Sequence, residues 1–177
     1  MARGLFQRIR ESLFWKITIL FFLILLLLGV SYTVMTVSMA KRYSDESTQR
    51  LNAGVASHML LEVTPFLDGK VNEEALGKIM HSMMAVNPSL EVYLLNPQGK
   101  ILSYVVLDKK VKLQYVSLEP IQKFLHENGK SLIYGDDPRN PGQSTIFSAT
   151  EVLNNGKLEG YVYMILASEE SVNVATA

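Results

Sequence analysis

Between Ile17 and Ala40 the chain carries no Asp, Glu, Lys or Arg. As an α-helix rising ~1.5 Å per residue, this run reaches about 36 Å, more than the ~30 Å hydrocarbon core of a bilayer. Its centre, Leu20-Phe21-Phe22-Leu23-Ile24-Leu25-Leu26-Leu27-Leu28, is apolar all round, where a helix on a soluble protein keeps a polar face. Ahead of it Arg3, Arg8, Arg10 and Lys16 stand against Glu11 alone. Basic flanks stay in the cytoplasm, so the rest of the chain is expected outside. Trp15 and either Tyr32 or Tyr43 are placed to sit at the two interfaces. The expected organisation is a cytoplasmic N-terminus (1–16), a helix across the inner (cytoplasmic) membrane (17–40), an extracytoplasmic domain (41–167) and a tail (168–177).

Two other readings compete. Ser38-Met39-Ala40 has the small-residue spacing of a signal-peptide cleavage site, but a signal peptide's apolar region runs only ~7–15 residues. A pilin-like assembly helix follows directly on a short leader, and here Arg8, Arg10, Glu11 and Lys16 intrude.

The remainder is long enough for one domain with its own core. From Lys41 onward it has 13 basic and 16 acidic side chains. That mild acidity argues against nucleic acid, which needs a clustered basic face. With no cysteine, disulfides and thiolate metal sites are excluded.

The spacing predicts a helix from Lys41 to about Val63, continuing out of the membrane, with Leu51, Val55, Met59 and Val63 as a narrow apolar stripe that Gly54 weakens slightly. Thr64-Pro65 ends it and Asp68-Gly69 is a turn. Asn72 caps a second helix with Glu73 and Glu74 in its first turn, Leu76, Ile79, Met80 and Met83 as its buried face, and Asn87-Pro88 as its stop. The period then switches to strands, Leu90–Leu95 and Ile101–Val106, around the loop Asn96-Pro97-Gln98-Gly99-Lys100. Ser117 caps a short helix through His126. Strands follow at Ser131–Tyr134, Thr145–Val152 and Gly160–Ala167, the last two joined by the turn Asn154-Asn155-Gly156-Lys157. This order implies an α+β fold, an antiparallel sheet of about five strands with helices on it.

Residues suited to chemistry are few. His58, His81 and His126 are not spaced for a metal on one helix face, and His81 lacks the acidic neighbour of a phospho-acceptor histidine. No Gly-rich phosphate loop is present. No cofactor, metal or catalytic arrangement is expected. Asp136-Asp137-Pro138-Arg139 is the densest polar cluster and has two readings: a solvated turn, or a loop at a pocket mouth. In the second, Arg139 pairs with a ligand carboxylate, and Asp136 or Asp137 with an amine or cation. Alternation puts Tyr161, Tyr163 and Ile165 on one strand face and Val162, Met164 and Leu166 on the other. Tyr93, Tyr104, Tyr134 and Ser148 lie in the other strands. These residues either line a small-ligand pocket or fill ordinary strand positions.

Leu90-Glu91-Val92-Tyr93-Leu94-Leu95-Asn96-Pro97-Gln98-Gly99-Lys100-Ile101-Leu102 resembles the first hairpin of PAS-like extracytoplasmic sensor domains of the Cache type. Ser117-Leu118-Glu119-Pro120-Ile121 resembles the start of their connecting helix. Gly135-Asp136-Asp137-Pro138-Arg139 with Ile146-Phe147-Ser148-Ala149 resembles the following loop and strand, and Gly160-Tyr161-Val162-Tyr163 the closing strand. Such domains lie between two membrane helices of bacterial sensor histidine kinases. The resemblance implies a signal-sensing input region with a small-molecule ligand. Here Ser168–Ala177 is too short and polar to span a membrane. The chain is therefore expected to be the input half of a longer receptor or to act alone. In the alternative it is a stand-alone single-pass protein that binds a periplasmic or envelope partner. A homodimer through the Leu51–Val63 stripe is expected.

Overall fold

The structure, a computed structural model, describes residues 13–67, 70–75, 77–78, 90–106 and 111–166. It divides into two units at Ser44/Asp45, a few residues beyond the expected boundary at 40/41. Helix α1 (Leu13–Leu51) supplies all the described residues of the first unit and enters the second. Its side chains from Leu13 to Ser44 are all exposed, and it is long and apolar enough to cross a membrane.

The expected helix to Val63 is interrupted. After α1 the chain turns at Asn52-Ala53-Gly54 and resumes as α2 (Val55–Glu62). Asn52 ends α1 by donating from its side-chain amide to Thr48 O at 2.8 Å, and the Ala53 and Val55 amides close short turns on Arg50 O and Asn52 O. Gly54 contributes more than a weakening, because the turn lets α2 lie on the sheet. Met59 is buried there, with Val55 and Val63 packed beside it, while Leu51 stays exposed. Most of the stripe expected at a dimer contact is therefore core.

Two short strands, β1 (Phe66–Leu67) and β2 (Lys70–Val71), pair antiparallel. Asp68-Gly69 between them lies outside the described residues. Asn72 caps as expected, its Oδ1 accepting from Ala75 N at 3.2 Å, and residues 73–75 and 77–78 are helical. Leu76, Ile79, Met80, Met83, Asn87-Pro88, His81, residues 1–12 and the tail lie outside the described residues.

The main sheet holds β3 (Glu91–Leu95), β4 (Ile101–Val105), β5 (Tyr134–Asp136), β6 (Ser144–Asn154) and β7 (Lys157–Ile165). Its order is β4-β3-β7-β6-β5, antiparallel throughout, with the closing strand in the middle. Both hairpin turns are set locally. Asn96 Oδ1 accepts from the amides of Gln98 and Lys100, at 3.0 and 2.8 Å. Asn155 and Gly156, both at positive φ (50° and 78°), form the two-residue β6–β7 turn. Gly160 is where β7 presses closest to β3, since a Cβ there would collide with Leu95 O.

Two cores flank the sheet. One face carries Tyr93, Leu95, Phe147, Tyr161, Tyr163 and Ile165 beneath helix α3 (Leu118–His126), which inserts Ile121 and Phe124. The other carries Val92, Leu94, Val162 and Met164 beneath α2. The alternation expected for β7 is observed. Two local expectations are corrected. Ser117 occupies the α3 N-cap position but makes no side-chain cap, and its amide donates instead to Asp136 Oδ2 at 2.8 Å. The strand expected at Ser131–Tyr134 begins only at Tyr134, because the backbone of Ile133 is engaged by a side chain of α1, described next.

Candidate functional site

Gln49 is fully buried on the last turns of α1, in the same structural unit as the sheet. Its Nε2 donates to Ile133 O at 2.7 Å and to Phe147 O at 2.9 Å, while its Oε1 accepts from Ile133 N at 2.8 Å. The side-chain amide thus takes the place of a strand's peptide group beside β5 and β6. Ser148 works next to it. Its Oγ donates to Ala53 O at 2.8 Å and accepts from Ala56 N at 3.4 Å, fixing the turn between α1 and α2. Arg50 Nε donates to Lys130 O at 3.0 Å, and Tyr134 donates from its hydroxyl to Asp45 Oδ2 at 2.8 Å. Four side-chain links therefore tie the end of α1 and the turn after it to the sheet domain.

On the opposite face, beneath the loop after β5, lies a buried polar cluster. Arg139 Nη2 meets Glu91 Oε1 at 2.6 Å, both side chains 5% exposed. Glu91 Oε2 accepts from the Tyr93 hydroxyl at 2.7 Å. Asp137 shapes the loop that carries the arginine. Its Oδ1 accepts from Arg139 N at 2.9 Å, and its Oδ2 from Asn140 Nδ2 at 2.9 Å. Tyr163 donates to Asp136 O at 2.7 Å. The amides of Lys112 and Leu113 both donate to Pro138 O, at 2.9 and 3.0 Å, so the loop is strapped down from above as well.

Burial pushes the Tyr93 hydroxyl well above the usual tyrosine range, and the adjacent Glu91 carboxylate adds to it by charge and by accepting its proton in a hydrogen bond. Tyr163 is raised for the same first reason, with Asp136 and Asp137 contributing. Both hydroxyls are thus held as donors. Burying a carboxylate and a guanidinium is tolerable only because they face each other and share further hydrogen bonds.

Of the residues singled out from the sequence, Tyr93, Asp136, Asp137, Arg139 and Tyr163 come together here. Tyr104 pairs with Tyr93 across β3–β4, ring centroids 6.3 Å apart, and is half exposed at the sheet edge. Tyr134 faces the α1 side, lining an open groove of about 320 Å³ with Glu119, Pro120, Lys123, Leu132 and Ile133. Ser148 is on the other face of the sheet. The Tyr93, Phe147 and Tyr163 rings pack against one another and are fully buried, so side chains fill the space beside the cluster. Among the described residues no group of His, Asp and Glu is arranged to hold a metal.

Sequence reasoning passed over Gln49 and Glu91. For Glu91 a signal existed: it stands in phase with Tyr93 and Leu95, on the face that becomes core. Gln49 gave none, lying in a stretch of polar residues.

The chain is an α+β protein with a five-stranded antiparallel sheet and one long N-terminal apolar helix. Comparison with protein-family models, curated proteins and solved structures finds no match.

Proposed function

We propose that this protein is a membrane-anchored, extracytoplasmic signal-sensing domain, the input region of a two-component sensor histidine kinase. The observation that carries this reading is that one helix contains both the uncharged apolar run and Gln49. A change in the sheet that altered the backbone of Ile133 or Phe147 would act directly on that helix. The elements behind the Cache resemblance support it further. The first hairpin, connecting helix, loop-borne strand and closing strand occur in that order, with the closing strand central. Signalling then requires a ligand with different affinity for two arrangements of the domain.

The test uses the full chain in lipid nanodiscs, screened by thermal shift against amino acids, organic acids and divalent ions. A sensed ligand raises the melting temperature saturably. It also changes the mobility of a spin label at Ser38→Cys in the wild-type background and not in Gln49→Ala. A ligand that binds without moving that label contradicts the reading.

Leu51 and Leu61, 82% and 83% exposed, favour a second reading, an anchored protein that docks an envelope partner through these leucines. Replacing both with serine then abolishes partner capture and leaves the ligand response intact.

A further inference from the structure

Arg139 is buried but incompletely used. Its Nε and Nη2 form one edge of the guanidinium, the fork that holds a carboxylate with two parallel hydrogen bonds. Glu91 fills one prong only. Its Oε1 meets Nη2, but Oε2 is turned to the Tyr93 hydroxyl, and Nε finds no acceptor among the described residues. A buried N–H without a partner is costly, so the clasp is held at less than the fork's full capacity.

Breaking the clasp would have wide effects. Arg139 belongs to the loop whose Pro138 O receives Lys112 N and Leu113 N, and whose neighbour Asp136 receives Ser117 N and the Tyr163 hydroxyl. Glu91 begins β3, which pairs with the central strand. The ion pair therefore joins the strap over this face to the sheet below.

We propose that Glu91 is an internal stand-in for a ligand carboxylate on Arg139, and that a small carboxylate-bearing molecule binds by displacing it and filling both prongs. The recognised group is a carboxylate on a molecule with further contacts of its own. A tethered carboxylate competes at a high effective concentration, so a bare carboxylate ion does not displace it. This deepens the sensing reading by naming a ligand class and the contact that keeps the face closed.

Alanine at position 91 removes the atoms of an acetate ion from beside Arg139, so acetate is the probe. The full chain in nanodiscs is melted in sodium acetate and in sodium chloride of equal ionic strength. Glu91→Ala melts below the wild type, and acetate raises its melting temperature over chloride by about 4 °C at a tenfold excess over the dissociation constant. The wild type and Glu91→Ala/Arg139→Ala show no acetate-specific rise. Should Glu91→Ala fail to fold, Glu91→Ser also vacates the place of the carboxylate beside Arg139 and gives the same acetate-specific rise. No such rise in either variant overturns the proposal, as does an equal rise in the wild type or the double variant. A saturable ligand shift in the wild type without acetate rescue removes the internal-ligand idea alone and leaves the sensing reading standing.

Discussion

Replacing Gln49 with alanine strips three hydrogen bonds from groups that have no other strand beside them. Ile133 O, Phe147 O and Ile133 N lose partners at 2.7, 2.9 and 2.8 Å. A buried hydrogen bond contributes about 1 kcal/mol net, and a buried polar group left unpaired costs about 1–3 kcal/mol. Water entering part of the vacated space reduces the upper end, so Gln49→Ala is expected to lose roughly 3–5 kcal/mol. That is a large share of the ~5–15 kcal/mol that stabilises a domain. Denaturant unfolding of the detergent-solubilised chain, followed by near-ultraviolet circular dichroism, reads it directly. Gln49→Leu keeps most of the volume and removes only the hydrogen bonds, so a similar loss assigns the effect to them. Hydrogen exchange gives a local check, since the Ile133 amide loses protection in both variants. A loss below about 1 kcal/mol in Gln49→Ala would refute the reasoning, because it would mean that helix and sheet hold together without the amide.

Further outcomes follow from the same geometry. Gly160→Ala is expected to destabilise by more than about 2 kcal/mol, because its Cβ meets the backbone oxygen of Leu95 rather than a movable side chain; unfolding midpoints measure it. Arg139→Met alone removes the Arg139 half of a buried ion pair with Glu91 and is expected to cost about 3–5 kcal/mol, most of which Glu91→Leu restores when added; a double-mutant cycle separates the two. Tyr93 and Tyr163 have pKa values raised above the ordinary 10.0. Above pH 10 the unfolded chain therefore loses protons that the folded chain keeps, and stability falls by about 1.4 kcal/mol per pH unit for each tyrosine. Tyr93→Phe removes one such contribution, so its stability profile is shallower than the wild type's above pH 10 and parallel to it below.

What could be read from the sequence was local. Proline and glycine punctuation and the change of period located the helices and strands, because turns such as Asn96–Lys100 and Asn155-Gly156 are built from their own residues. Period-two alternation assigned Tyr161, Tyr163 and Ile165 to one core and Val162 and Met164 to the other for the same reason. The apolar run needed only its length and lack of charge. What escaped depends on partners far along the chain. The α1–α2 break reads as a single weak glycine until Ser148 is seen holding the turn. The start of β5 shifts because Gln49 engages Ile133 before a strand does. Arg139 stood out as a charged loop residue, yet its meaning changed once Glu91, at the start of another strand, was found against it. Strand order is likewise a property of long-range pairing that no local pattern encodes.

Because the chain has no cysteine, each one introduced is a unique probe of which side of the membrane it faces. Gln98 is exposed at the β3–β4 turn and Arg3 precedes the apolar helix. With a membrane-impermeant maleimide on spheroplasts, Gln98→Cys is expected to label fully, and Arg3→Cys only after the membrane is broken. Labelling of Arg3→Cys in sealed spheroplasts, with Gln98→Cys protected, would place the sheet domain in the cytoplasm and remove the basis for extracytoplasmic sensing.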